Sequence, residues 1–186
     1  MVNAPAYVEA GGMSHRLRPA RLHRGLHLIE LLIAVMVLSV LLALAWGPWQ
    51  RTLRHFQAEA LRAELVASLS MARSAAITER RRVTVCGSSD GMMCDQAWSQ
   101  GWRVQVEPAN SATAAARELR VHGTRQRHVD LHTSDHRPDV RFRPDGRNAG
   151  TNQSIVLCVD GQEHSRVIIS VPGRVRSQRP RRSTPC

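Results

Sequence analysis

Residues 24–46 read RGLHLIELLIAVMVLSVLLALAW, and this stretch decides the class of the protein. From residue 28 onward, only Glu30 and Ser39 interrupt a run of apolar side chains. A helix needs roughly 17–25 such residues to cross the hydrocarbon core of a bilayer, so the run is long enough to span a membrane. The residues before Gly25 carry four arginines and one glutamate. This bias predicts a cytoplasmic N-terminus, with everything after residue 46 on the other side of the membrane.

A cleaved signal peptide and an ordinary membrane anchor are the alternatives for this segment. A signal peptide ends in a small-residue cleavage site after its apolar run, whereas this run ends in Ala45-Trp46-Gly47-Pro48. An ordinary anchor leaves Glu30 unexplained, because a carboxylate inside a membrane segment costs at least about 2.5 kcal/mol and points to a functional role.

The small residue before the run and the acid inside it occur together in one known pattern. Residues 24–32, RGLHLIELL, resemble the prepilin cleavage motif of type IV pilins and type II secretion pseudopilins. The resemblance implies that prepilin peptidase cuts between Gly25 and Leu26 and that the new N-terminus at Leu26 is methylated. Glu30 then becomes the fifth mature residue, which in this family neutralises the N-terminal amine of a neighbouring subunit during assembly. Leu26 departs from the usual phenylalanine, and His27 replaces a small polar residue.

The next segment has helical periodicity. Apolar residues recur every three or four positions at Leu61, Leu65, Leu69, Ala72 and Ala76, forming one stripe. We therefore expect one helix from residue 26 to about residue 80, with a kink or weak point at Gly47-Pro48. Two unrelated helices are the alternative. The apolar half (26–48) would lie in the membrane or a filament core, and the amphipathic half (49–80) would cover a sheet.

After residue 81 the sequence alternates in the manner of strands, with turn signals such as Asp90-Gly91 and Asp160-Gly161 between them. Predicted strands are 83–87, 102–106, 118–122, 129–133, 140–143, 155–159, 166–171 and 174–176. The order predicts an α+β, pilin-like fold in which a long N-terminal helix packs on an antiparallel β-sheet. The predicted organisation is a leader (1–25), the two helix halves, and a sheet domain with a basic tail (81–186).

The chain has four cysteines and no CxxC pair, which favours two disulfides if the compartment is oxidising. Spacing does not fix their connectivity. Proximity favours Cys86–Cys94, which leaves Cys158–Cys186 to tie the C-terminal tail to a strand.

Several segments of the sheet half resemble the GspH/FimT branch of minor pilins. They are 85–91 (VCGSSDG), 98–102 (WSQGW), 142–147 (FRPDGR), 167–170 (VIIS) and 173–176 (GRVR). The last is the position of the GRxR motif, which FimT-like pilins are thought to use to bind DNA in natural transformation. Carried over, Arg174 and Arg176 contact DNA phosphates, and Arg179, Arg181 and Arg182 extend the patch.

The charge agrees with an anionic partner but does not identify one. The formal net charge is +11, and all 26 basic residues are arginine, the better phosphate ligand. Nucleic acid, anionic lipid and acidic proteins are the candidate partners. Arginine in place of lysine could also reflect a GC-rich coding sequence, and the acid-free tail could be a solvated surface. No aromatic residue follows position 173, so double-stranded DNA held by its backbone is the expected ligand rather than stacked single strands.

Other chemistry is not indicated. His128, His132 and His136 are four apart, but residues 129–133 alternate as a strand, which would spread these side chains too far apart for one metal. No nucleophile elbow or glycine-rich phosphate loop is present, so we predict no catalytic site, no cofactor and no metal.

Three functions share this N-terminus. The first is a DNA-binding minor type IV pilin, held in the inner membrane with its C-terminal domain in the periplasm and incorporated with other pilins into a pilus. The second is a GspH-like pseudopilin, a structural tip subunit of a type II secretion system that binds no DNA. The third is a pilus-assembly initiator without a ligand. The GRxR segment and the acid-free tail favour the first.

Overall fold

The computed structural model describes residues 28–108, 116–123, 128–133, 137–182 and 184–186. Within these ranges a long helix, α1 (Leu28–Glu79), precedes eight strands. The strands are β1 (Val83–Gly87), β2 (Gly101–Val106), β3 (Arg117–Gly123), β4 (Val129–Thr133), β5 (Asp139–Phe142), β6 (Gln153–Val159), β7 (Gln162–Ile169) and β8 (Val175–Gln178). The predicted α+β order is confirmed.

The chain divides into two compact units, Met1–Leu44 and Ala45–Cys186. In the described part of the first unit, every residue of α1 is exposed. The helix Leu28–Glu79 contains a stretch long and apolar enough to cross a membrane, judged by length and composition. An exposed helix that is apolar on all sides suits lipid or a protein interior rather than water.

In the second unit α1 becomes amphipathic. Its buried residues follow one another three or four positions apart: Ala58, Leu61, Leu65, Ser68, Leu69, Ala72 and Ala76. The predicted stripe is therefore confirmed, with one more turn at its N-terminal end.

The helix continues through Pro48 without a break, so the predicted two halves belong to one helix. Pro48 has no N–H to donate to the preceding turn. Its carbonyl oxygen accepts an extra bond from the Thr52 hydroxyl at 3.0 Å.

The eight strands form two antiparallel sheets, where the sequence predicted one. Their orders are β3-β2-β1-β5 and β4-β6-β7-β8. The chain leaves the first sheet after β3, places β4 beside β6, and returns with β5 beside β1. Strand alternation predicts which side chains face inward but not which strand is the neighbour, so the sequence did not reveal this exchange.

Both sheets share one hydrophobic core with α1. Trp102 and Phe142 come from the first sheet, Leu157 and Ile169 come from the second, and all four side chains are fully buried. Leu65 of α1 belongs to the same cluster and is 0% exposed. The helical stripe is therefore the surface on which the two sheets meet.

Replacing Leu65 with alanine should lower the free energy of unfolding by about 2–5 kcal/mol, because it leaves a cavity in a core that two sheets share. Leu53→Ala is the matched control, since Leu53 lies on the same helix but is 47% exposed. Denaturant unfolding of the detergent-solubilised full chain, followed by the fluorescence of the buried tryptophans, measures both. Equal losses in the two variants would contradict this account of the core.

Candidate functional site

The turn between β7 and β8 depends on Gly173. Its φ is +79°, a conformation that residues with a Cβ rarely adopt. A Cβ at Gly173 would lie 1.9 Å from the carbonyl oxygen of Gly146, so the position also lacks room for a side chain. Gly146 itself has a φ of +76° and closes the turn after β5. Two glycine turns from different sheets therefore touch at this point.

Hydrogen bonds hold the two turns together. Arg73 of α1 donates from Nε to the carbonyl oxygen of Gly146 at 3.1 Å and from Nη2 to that of Pro172 at 3.4 Å. The backbone N–H of Asn148 donates to the carbonyl oxygen of Val171 at 3.0 Å. The helix and both sheets thus fix the backbone that leads into the GRVR segment.

Arg174 and Arg176 project from this fixed backbone. Both are exposed, whereas the intervening Val175 and the following Ser177 are half-buried. Val175 packs against the core, and Ser177 accepts a hydrogen bond from Arg62 of α1 at 2.5 Å. Because side chains alternate along an extended chain, the two arginines share the outer face. Neither has an ion-pair partner in the part of the chain that the structure describes.

The other tail arginines differ among themselves. Arg179 bonds Oε1 of Glu59 on α1, from Nε at 3.0 Å and from Nη2 at 2.7 Å. Arg181 and Arg182 are exposed, and their side chains have no acidic partner within the described ranges. The five arginines of the predicted site thus lie in one region of the chain, but Arg179 is already paired with the carboxylate of Glu59.

Arg147 is a further exposed arginine, on the turn that touches the GRVR segment, and it was not among the predicted site residues. It is exposed and follows Gly146 directly, next to the residue that bonds Val171. Its signal was its place at the end of the segment FRPDGR, and the contact between Gly146 and Gly173 brings its backbone to the GRVR turn.

The tail is fixed at its far end. Cys158 of β6 forms a disulfide with Cys186, with a Cα–Cα distance of 6.3 Å. The N–H of Cys186 donates to the carbonyl oxygen of Gly161 at 3.0 Å, and that of Glu163 to Thr184 at 2.8 Å. The five arginines between Gly173 and Cys186 therefore lie in a segment that is held at both ends, which we call the arginine strap.

The second disulfide joins Cys86 of β1 to Cys94, with a Cα–Cα distance of 5.5 Å. It closes the loop that contains Asp90, whose carboxylate accepts the N–H groups of Met92 and Met93 at 2.7 and 3.1 Å. These two hydrogen bonds hold the pKa of Asp90 below its usual range, and the bond from Met92 contributes more than the bond from Met93.

Of the predicted N-terminal site, the structure describes Glu30 alone, which is exposed in the first turn of α1. Gly25 and Leu26 lie outside the described residues, as does His136. His128 directly precedes β4 and His132 lies on it, so the strand that the alternation of residues 129–133 predicted is confirmed.

A different cluster of titratable residues does come together. His55 and Glu59 lie four residues apart on α1, and His164 lies on β7. One potential ligand atom from each lies within 4.8 Å of the others. The helical spacing of His55 and Glu59 was visible in the sequence, but the pairing of α1 with β7 was not.

Glu59 is the anionic centre of this cluster. Arg62 bonds Oε2 from Nη2 at 2.6 Å and from Nε at 2.9 Å, while Arg179 bonds Oε1. Burial alone would raise the pKa of Glu59, but the hydrogen bonds and charges of Arg62 and Arg179 outweigh it and hold that pKa below its usual value. Burial lowers the pKa of His164, and the neighbouring His55 adds to this effect.

The sequence of the second unit matches a known family. The model of the family described as "Type II transport protein GspH" matches residues 61–173, more than half of the chain. The chain belongs to the GspH family. The predicted resemblance to the GspH branch is therefore confirmed, while its FimT-specific part stays a prediction.

Two solved structures share the fold of this GspH-family chain. The type IV minor pilin FimU of Pseudomonas aeruginosa has a TM-score of 0.55 and 24% identity, over 73% of this chain and 95% of that one. The minor pseudopilin EpsH from the type 2 secretion system of Vibrio cholerae has a TM-score of 0.50 and 13% identity, over 68% and 99%. At these identities the likeness concerns the fold, and it confirms the pilin-like α+β class.

A third match is of another kind. UDP-N-acetylmuramoylalanine–D-glutamate ligases of Bordetella parapertussis and Bordetella pertussis are 45% identical over 69 residues. The chain spans 14% of the length of these curated relatives, and the match covers 36% of the chain. This partial match does not assign the chain to a family, whereas the GspH match does. The apolar N-terminal helix fits the inner-membrane anchor of a pilin.

Removal of the Cys158–Cys186 disulfide should release the arginine strap. In a Cys158→Ala plus Cys186→Ser variant, we expect trypsin to cut after Arg181 or Arg182 at least roughly tenfold faster, because a disulfide of this loop length stabilises by about 2–4 kcal/mol. Mass spectrometry of the early digest measures the rate. The matched control is Cys86→Ala plus Cys94→Ser, which should leave cleavage in the tail unchanged. Equal acceleration in both variants would show that the disulfide does not fix the tail.

Proposed function

We propose that this GspH-family chain is a minor type IV pilin of the FimT type that binds double-stranded DNA. It acts in DNA uptake during natural transformation, in pilus assembly, or in both, and it is not an enzyme. The observation that carries the proposal is the exposure of Arg174 and Arg176 on one face of a turn fixed by Gly173, without acidic partners among the residues that the structure describes.

The geometry suits a phosphate backbone. Arginine donates two parallel hydrogen bonds to a phosphate, and a rigid support lowers the entropy lost when the side chains bind. Successive outward side chains on an extended strand are about 7 Å apart, close to the spacing of phosphates along one DNA strand. Contacts of this kind carry no sequence information, so binding should be independent of sequence.

The neighbouring arginines define how far the patch extends. Arg147 lies beside the same turn, and Arg181 and Arg182 continue along the strap. Arg179 contributes to a lesser degree, since Glu59 already neutralises it. The resulting surface has five arginines besides Arg179 available to displace the counterions of DNA.

In this proposal the surface lies outside the cytoplasm, because the arginines before the apolar run favour a cytoplasmic N-terminus. Prepilin peptidase removes residues 1–25, Leu26 is N-methylated, and the apolar half of α1 holds the chain in the inner membrane with a single pass. The C-terminal domain then lies in the periplasm until the subunit joins other major and minor pilins in a pilus at the cell surface. Glu30 pairs with the N-terminal amine of a neighbouring subunit, because a carboxylate in an apolar filament core is tolerated only when it is paired.

A second candidate function is that of a GspH-like pseudopilin, a structural tip subunit of a type II secretion system. The description of the matching family and the fold shared with EpsH favour it. In that case the partners are other pseudopilins, and the arginine strap is a solvated surface. The two functions differ in one property, which is affinity for DNA.

Changing Arg174→Gln and Arg176→Gln together should lower the affinity of the detergent-solubilised full chain for a short DNA duplex. Each phosphate contact contributes about 0.9 to the slope of log affinity against log salt, so the loss of two should reduce that slope by roughly 2. Fluorescence anisotropy across a salt series measures both quantities.

The matched control removes the same charge from the other sheet. Arg117 and Arg120 lie on β3 and pair with Glu79 and Glu64 of α1. Arg117→Gln plus Arg120→Gln should bind DNA nearly as the unaltered chain does. If both double variants lose affinity equally, net charge rather than the GRVR turn accounts for binding. If the unaltered chain does not bind at low salt, the pseudopilin function is the better one.

Gly25→Ala should block maturation, because the peptidase cuts directly after this glycine in the motif that the sequence resembles. Glu30→Ala is the matched control, which should still be cleaved but should enter pili poorly. Immunoblots of membrane and sheared-pilus fractions separate the two effects by product size and location. A shortened product from Gly25→Ala would remove the prepilin assignment, and normal incorporation of Glu30→Ala would remove the role of the carboxylate.

A further inference from the structure

The cluster of His55, Glu59 and His164 has the composition of a metal site. Two imidazoles and a carboxylate are a common ligand set for zinc, which binds histidine nitrogen and carboxylate oxygen at about 2.0–2.2 Å. In a tetrahedral site, two ligand atoms at such distances lie about 3.3–3.5 Å apart. Nε2 of His164 lies 3.4 Å from Oε1 of Glu59.

His164 is oriented for a ligand that the described residues do not supply. Its side chain is only 6% exposed, yet its buried Nε2 has no hydrogen-bond partner among the residues that the structure describes. Nδ1 lies 3.3 Å from the Ser165 hydroxyl oxygen. When Nδ1–H donates to that oxygen, the lone pair of Nε2 faces Glu59, and this is the tautomer and support that metal-binding histidines usually have.

His55 completes the group from the exposed side. Its ring lies edge-on to that of His164, with 4.5 Å between the ring centroids. Since it is one helical turn before Glu59, the two residues lie on the same face of α1. Three protein ligands leave the fourth position of a tetrahedral ion unfilled. Because His55 is exposed, this position is open to water or to a group from a neighbouring protein.

We propose that His55, Glu59 and His164 bind a zinc ion that links α1 to β7. The site is separate from the GRVR turn, and the proposal does not depend on DNA binding. Transition metals related to zinc would enter the same ligand set with different affinities.

Arg179 is the natural competitor of the ion. Its guanidinium occupies Oε1, the oxygen that faces His164, but its side chain is 61% exposed and can turn into water. Zinc and Arg179 therefore compete for one oxygen, while Arg62 keeps Oε2. Zinc binding would thus free Arg179 from its carboxylate.

Titration of the detergent-solubilised full chain with zinc chloride, in competition with a chromophoric chelator, tests the site. We expect one zinc ion per chain, and His164→Ala and Glu59→Gln should abolish this binding. His132→Ala is the matched control, because His132 is an exposed histidine on another strand of the same sheet, and it should bind as the unaltered chain does. Cobalt chloride should give visible absorption bands of four-coordinate geometry in the unaltered chain and in the control.

Two further variants keep the test decisive if His164→Ala fails to fold. Ser165→Ala should weaken zinc binding by roughly tenfold to a hundredfold, the usual effect of removing the support of a ligand histidine. Arg179→Gln should strengthen it by roughly twofold to fivefold, since it removes a competing exposed ion pair. A chain that binds no zinc, or one whose zinc binding is the same in the Glu59→Gln, Ser165→Ala and Arg179→Gln variants, would overturn the proposal.

Discussion

The burial of one helical stripe by two sheets is the constraint on which the second unit depends. Leu61, Leu65 and Leu69 present a single apolar face. Side chains from both sheets pack into the same core as this face, so its burial depends on the two sheets together. Once that face is buried, the flanking faces of α1 are fixed against the sheet edges. Arg73 then meets the two glycine turns, while Glu59 and Arg62 meet β7 and β8. The positions of the residues proposed to bind DNA or zinc are therefore consequences of how the helix packs.

Rigidity at the GRVR turn has a specific origin. Gly173 and Gly146 approach so closely that neither sheet can shift without separating a packed contact, and Arg73 bonds both turns to the helix. The Cys158–Cys186 disulfide fixes the other end of the strap. A sequence with five arginines in fourteen residues would ordinarily be a solvated and mobile tail. Here both ends of the segment are held, while Arg174, Arg176, Arg181 and Arg182 remain exposed, the arrangement that a binding surface requires.

Local pattern was sufficient for much of this fold. Leu61 to Ala76 predicted the helical stripe, and the alternation around Val83 and Val129 predicted strands with these bounds, because burial imposes periods that a single sequence displays. Cys86 and Cys94 lie eight residues apart, and the structure joins them. The GRVR segment was likewise conspicuous in the sequence, as were the exposed arginines within it.

Contacts between distant segments could not be predicted in this way. β4 lies in the second sheet and β5 in the first, and this placement depends on which strand each one has as its neighbour. The alternation of side chains within a strand carries no information about its neighbour. Arg147 beside the GRVR turn, and His164 beside His55 and Glu59, depend on the same long-range pairings. The pairing of Arg179 with Glu59 is a further example, since it separates one arginine of the tail from the others.

The central claim is that a particular pair of arginines, rather than the general charge of the protein, meets the phosphates of DNA. Arginine side-chain NMR tests it most directly, with the Nε–Hε signals of the nitrogen-15-labelled, detergent-solubilised full chain followed as a short duplex is added. The account predicts that the signals of Arg174 and Arg176 shift first and most, with Arg147, Arg181 and Arg182 following, while those of Arg117 and Arg120 stay in place. Equal shifts of all exposed arginines, or shifts confined to β3, would contradict it.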